Sequence, residues 1–201
     1  MGSVDEEMTA WVLDGLYEVP WRALCSARPG ANASAVPDLI TALVTKAKTL
    51  EDFWRLRRML EDEVIYEGFF IQAAPYVIPF LARWMLVDES EDARATAIGI
   101  IDLISADDPD DPDDSGTPEE REILRLALVD ALDAVYDVIA RASGPSRRQA
   151  ITLAYGIDGM TPRLVEALSE AETSSDDEAL REVIAYVRRD GRGGHLGRPV
   201  D

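Results

Sequence analysis

Five residues between positions 111 and 122 have the spacing of a calcium-binding loop. Asp111, Asp113, Ser115, Gly116 and Glu122 occupy the first, third, fifth, sixth and twelfth places of such a loop. There, oxygen ligands would wrap a hard cation and the glycine would make the sharp turn. Two prolines oppose this reading. Pro112 stiffens the entry, and Pro118 takes a place normally held by an apolar residue. The stretch 107–116 is also so rich in Asp and Pro that ligand-like spacing arises from composition alone. The expectation is a solvated linker, with a calcium- or metal-responsive regulator as the alternative.

Other chemistry has little to work with. Cys25 is the only cysteine, which rules out a disulfide within the chain and makes a reducing cytoplasm the expected compartment. It lies in the apolar-rich segment 21–27, where a buried, inert thiol is expected. His195, the only histidine, falls in the glycine-rich segment 191–201, expected to be a disordered tail. No packed scaffold would hold it as a base for Cys25 or a serine. Glycines 193, 194 and 197 lack the strand-before, helix-after context of a phosphate loop. Carboxylates are too numerous for any pair to stand out as an acid and base. The chain reads as a non-enzyme, with an enzyme of unknown type as a further alternative, and no cofactor is implied.

Charge says more. The sequence holds 39 acidic and 20 basic residues, a net charge of −19. That balance repels phosphate backbones and disfavours nucleic acid as a partner. Residues 107–187 alone carry 20 acids and 7 bases, so a basic partner would dock on the C-terminal half. There Glu122, Asp130, Asp133 and Asp137 fall on one stripe of a long helix, with Leu124, Leu128, Leu132, Val135 and Ile139 elsewhere around it. The stripe is a candidate protein-docking surface and equally an ordinary solvated face.

The elements that position these residues are helices. Apolar residues recur at three and four positions, and alternating β-branched runs are nearly absent. Helices are expected over 5–16, 21–27, 35–48, 49–68, 70–87, 91–106, 117–142, 145–155, 161–171 and 175–189. Ser34 and Ser90 are expected caps. Thr49 with Asp52, Thr117 with Glu120, and Ser175 with Glu178 have capping-box spacing. Phe53, Leu56, Leu60 and Val64 define the buried face of one helix, with Glu61, Asp62 and Glu63 largely opposite. The four tryptophans, Trp11, Trp21, Trp54 and Trp84, are expected in the core. The most apolar stretch, 69–86, is broken by Gln72, Pro75, Pro79 and Arg83 and reads as a buried helix rather than a membrane span.

Three helix starts share a pattern: Val36, Pro37, Leu39 and Leu43; Ile78, Pro79, Leu81 and Met85; Thr161, Pro162, Leu164 and Leu168. Pro37 and Pro79 are 42 residues apart, and Pro162 follows at about twice that interval. Paired-helix repeats have such periods, and each pair buries its apolar face on its neighbours. Pro118 lies near the missing position, but Glu120 stands where leucine would. The expected architecture is all-α, a right-handed α-solenoid of HEAT- or armadillo-like hairpins, forming a single domain over 1–190.

Residues 66–81, from Tyr66 through Gln72 and Pro79 to Leu81, resemble bacterial, often actinobacterial, HEAT-like repeat proteins. In that family a His-Gln-Gly-Thr-type turn precedes an alanine-rich helix and a Val-Pro-Phe-Leu segment. Pro29, Gly30 and Ala31, followed by Val36 and Pro37, resemble the part before it. Tyr66, Glu67 and Phe69 depart from the family's turn. The resemblance covers about residues 21–87. It implies a helical-repeat fold and an adaptor role, some such proteins resembling immunity proteins that accompany secreted toxins. The expected function is therefore protein–protein interaction, its sharpest form the occlusion of a basic toxin.

Overall fold

The computed structural model describes residues 2–65, 71–106 and 116–190. Among them are nine α-helices and no strand: α1 (Gly2–Val12), α2 (Val36–Lys46), α3 (Leu50–Val64), α4 (Ala74–Val87), α5 (Glu91–Ser105), α6 (Pro118–Arg141), α7 (Gly144–Asp158), α8 (Pro162–Thr173) and α9 (Glu178–Asp190). The all-helical expectation holds.

Local chemistry explains most boundaries. Thr49 accepts from the Asp52 amide while the Asp52 carboxylate accepts from the Thr49 amide, and Thr117 and Glu120 do the same at the start of α6. Ser90 accepts from the Ala93 amide. Four expectations are corrected. The residue preceding α2 is Ala35, and the Ser34 amide instead donates to Asn32 Oδ1 in a turn. At α9 the capping oxygen belongs to Asp177, which accepts from the Ala179 amide, while Ser175 accepts from Asp177. Residues 21–27 form only a 3₁₀ turn, Trp21–Ala23, because the chain then closes a bridge between Cys25 and Asn32. Pro79 lies inside α4, and Pro75 occupies its first turn.

That last correction reorganises the repeat. Pro37, Pro75, Pro118 and Pro162 stand in the first turns of α2, α4, α6 and α8, at intervals of 38, 43 and 44 residues. Proline suits these places because the amides of the first turn have no intrahelical acceptor. The helices they open pack successively, α2 on α4, α4 on α6 and α6 on α8. The intervening helices do likewise, α3 on α5, α5 on α7 and α7 on α9, and α2–α3, α4–α5, α6–α7 and α8–α9 also pack as pairs. One continuous apolar cluster runs through them all. Its largest fully buried side chains include Trp84, Ile78, Leu81, Ile98 and Ile101.

Polar ties also cross between elements. Arg83 of α4 donates to the carbonyls of Trp11 and Asp14, satisfying the C-terminal end of α1 with a cation. Glu91, at the start of α5, accepts from both the amide and the hydroxyl of Ser146, each at 2.6 Å. A carboxylate from another helix thereby caps α7.

Expectations about individual side chains divide. Phe53, Leu56, Leu60 and Val64 are buried, but so is Glu63, whose carboxylate pairs with Arg28 at 2.7 Å. Trp21 and Trp84 are in the core, whereas Trp11 is exposed and Trp54 is 66% exposed. Cys25 is exposed, because the bridge to Asn32 holds it at the surface. Among the described residues no helix is long and apolar enough to cross a membrane.

Candidate functional site

The acidic stripe of α6 is present. Glu122, Asp130 and Asp133 are exposed and Asp137 is partly so, while Leu124, Leu128, Leu132, Val135 and Ile139 are buried. Its charges are largely answered within the chain. Glu122 receives two bonds from Arg125, at 2.6 and 2.7 Å, which hold its carboxyl below the ordinary value. Asp133 pairs with Arg163 of α8 at 2.8 Å, and Asp137 pairs with Arg141. Asp130 has no ion pair among the described residues. Leu126 and Val129, 47% and 41% exposed, lie along the same outer side of α6. The surface is thus a strip of aliphatic side chains set among carboxylates.

Asp111, Asp113 and Ser115 lie outside the described residues, as does His195. Glu122, the remaining side chain of the calcium spacing, has both oxygens on Arg125. No group of three potential metal-ligating side chains occurs among the described residues.

A second feature was not singled out from the sequence. Between α6, α7 and α8 lies an open cleft of about 400 Å³. Tyr136, Ile139 and Ala140 of α6 form one wall. Arg163, Glu166, Ala167 and Glu170 of α8 form the other, with Ser174 beyond the helix end and Arg147 of α7 between the walls. The α8 residues recur at three and four positions, so they share one side of the helix.

Each end of the cleft is braced. At the first, the Arg163 guanidinium lies 4.0 Å from the Tyr136 ring centre while bound to Asp133. The Tyr136 hydroxyl donates to Asp158 at 2.7 Å, and the Thr161 hydroxyl donates to the same oxygen. Burial, reinforced by the Asp158 carboxylate, pushes the Tyr136 phenol up to about 12. At the other end Arg147 Nη2 donates to Ser174 Oγ at 3.0 Å, and Ser174 Oγ donates to the Ala171 carbonyl. Arg147 is only 7% exposed, its Nε has no acceptor, and it makes no ion pair among the described residues. Burial alone lowers its pKa.

The sequence carried one signal for this site. Arg147 and Arg148 follow directly on the first turn of α7, where the helix dipole favours acids. Arg148 answers Asp177 at 2.7 Å, and Arg147 answers no carboxylate among the described residues.

The chain matches no protein-family model, no curated protein and no solved structure.

Proposed function

We propose that this protein is an interaction module of the helical-repeat kind, a right-handed HEAT-like solenoid that docks a basic protein on the outer strip of α6. Two features support the architecture. The helices pack as four consecutive pairs in two successive rows, and the row α2, α4, α6, α8 begins each time with proline at near-regular intervals. The resemblance over residues 21–87 points the same way.

The observation that carries the docking reading is the exposure of Leu126 and Val129 among Glu122, Asp130 and Asp133. Aliphatic anchors with a charged surround are what a protein interface needs. The anchors supply affinity once desolvated, while Asp130 and the net negative charge of residues 107–187, with 20 acids against 7 bases, steer a cationic partner and speed its association. A toxin with a basic active-site rim is the partner class this face suits best, and inhibition follows from covering that rim. The chain then acts by occlusion, with no catalytic step of its own.

The test is a calorimetric titration of the purified chain with the basic proteins encoded beside it, at low and high salt. Binding should weaken with salt. The double substitution Leu126→Ser with Val129→Ser should weaken it roughly tenfold or more, a change of about 1.4 kcal/mol. Absence of binding to every such neighbour, or binding indifferent to these substitutions, overturns the reading.

A further inference from the structure

In a chain with 39 acidic residues, Arg147 is more than nine-tenths buried as a residue and pairs with no carboxylate among the described residues. A guanidinium has five N–H donors in a planar fork suited to carboxylates. Ser174 Oγ accepts from one of Arg147's nitrogens, and Nε meets no acceptor. Burying an unanswered cation costs stability, and a carboxylate entering the cleft would relieve that cost.

The wall beside it has the opposite sign. Glu170 is one helical turn before Ser174, and Glu166 one turn before Glu170. Both are exposed and line the same cleft. Arg163 does not answer them, since its guanidinium is held by Asp133 and the Tyr136 ring. The eight helical steps from Glu166 to Ser174 span about 12 Å along α8 and its cap, with Ala167 on the wall and Ile139 and Ala140 opposite. An anion subsite, a cation subsite one turn away, an apolar stretch and a second cation subsite therefore follow in order.

We propose that this cleft binds a basic α-amino acid bearing a free carboxylate, lysine or arginine, either as the free molecule or as the last residue of a peptide. The α-carboxylate takes the Arg147 fork. In the free molecule the α-ammonium faces Glu170. The aliphatic stem lies along Ala167, Ile139 and Ala140, and the terminal cation reaches Glu166. The cleft volume of about 400 Å³ suits a ligand of that size. This site does not depend on docking at Leu126 and Val129, which lie on another part of α6.

The experiment is a titration of the full chain, followed by amide chemical shifts and calorimetry. The probes are L-lysine, L-lysine amide, L-norleucine, and a tetrapeptide ending in lysine with its C-terminus free or amidated. Saturable binding of a free-carboxylate probe, roughly tenfold or more tighter than that of its amide, is expected, with shifts clustered on α6, α7 and α8. Arg147→Met should lose at least as much affinity while melting at the same or a higher temperature. Glu166→Gln should weaken lysine binding and leave norleucine binding unchanged. Preference for L-lysine over the peptide identifies the free amino acid as ligand, and the reverse identifies a chain end. Should Arg147→Met not fold, Arg147→Lys together with Glu166→Gln carries the test, since the first keeps the charge and loses the fork, the second removes a charge, and neither opens the core. No saturable binding of any free-carboxylate probe, or binding unchanged by these substitutions, overturns the proposal. Leu126→Ser with Val129→Ser serves as the control and should leave lysine binding intact, so this site and the protein-docking strip fail independently.

Discussion

The two halves of the molecule hold their helices together in different ways. In α2–α5 the joins are bulky and apolar. Trp84 of α4 stacks on Phe53 of α3 with ring centres 6.0 Å apart, and Ile98, Ile100, Ile101 and Ile104 fill α5. In α6–α9 no tryptophan or phenylalanine is buried, small residues such as Ala150, Ala154 and Ala171 lie beside leucines and isoleucines, and charged contacts between elements supplement them. Arg148 reaches Asp177, Arg163 reaches Asp133, and Arg188 of α9 reaches Glu172 of α8. Small side chains let backbones approach, but they remove less apolar area from water. The difference teaches where function can be accommodated. The aromatic-packed half forms the platform, and the half that carries the acidic strip and the Arg147 cleft joins its elements partly through charged contacts.

The sharpest way to break this contrast is to cut into the platform. Trp84→Ala removes a buried indole, its stacking on Phe53 and its donation to Asp88 at 3.2 Å. A loss of about 3–5 kcal/mol is expected, read as a lower denaturant midpoint at unchanged slope. A loss below about 1 kcal/mol would mean that the core at α3 and α4 is looser than its burial indicates.

Next in size is the join between the halves. Glu91→Ala deletes the acceptor of both the amide and the hydroxyl of Ser146, which is fully buried. Two stranded donors are expected to cost about 1–3 kcal/mol. Hydrogen exchange should show the loss first in the opening turn of α7, and Glu91→Gln should recover part of it. Uniform loosening of the whole chain instead would show that α7 is not capped from α5.

Smaller again is an acid-sensitive tie at the start of α6. The Thr117 amide, assisted by Gln72 and the Thr117 hydroxyl, holds the Glu120 carboxyl below its ordinary 4.5 against partial burial, which acts the other way. Gln72 in turn accepts from the Cys25 amide, so Glu120 links α6 to the turn before α2. Because the folded value is depressed, this contribution is complete above about pH 4.5 and disappears as pH falls through the folded value. Glu120→Gln keeps the capping geometry and removes the titration. Its stability should therefore fall less than the parent's as the pH drops below 4.5, and an unchanged acid limb would exclude Glu120 as a contributor.

How far the sequence could be read follows from which interactions are local. Capping boxes at Thr49 and Thr117 join neighbours three residues apart, and both were legible. The buried faces of α3 and α6 follow from periodicity and were legible too. The proline repeat was visible but misregistered at Pro79. The first turn of α4 begins at Ala74, and nothing local distinguishes a proline in a first turn from one a turn later. Glu63, Trp54 and Cys25 were misplaced because their burial is decided by the rest of the fold: Arg28 for the first, the lack of a covering helix among the described residues for the second, and Asn32 with Gln72 for the third. The Arg147 cleft needs three helices to exist and had only an arginine pair in an acidic segment to announce it.

The smallest effect concerns whether the charged contacts of α8 and α9 stabilise the half that displays them. Arg188 and Glu172 approach to 2.8 Å, yet both side chains are about 40% exposed. Exposed pairs gain little Coulomb energy in water and give up side-chain freedom to form, so about 0–1 kcal/mol is expected from Arg188→Ala. Moderate salt should shrink that difference further. The packing of α9 would then rest on Leu180, Ile184 and Val187, all buried against the core, with the ion pair fixing alignment rather than strength. If Arg188→Ala instead releases α9, with fast amide exchange over 178–190, the contrast between the halves deepens, because ion pairing would be holding the last helix in place.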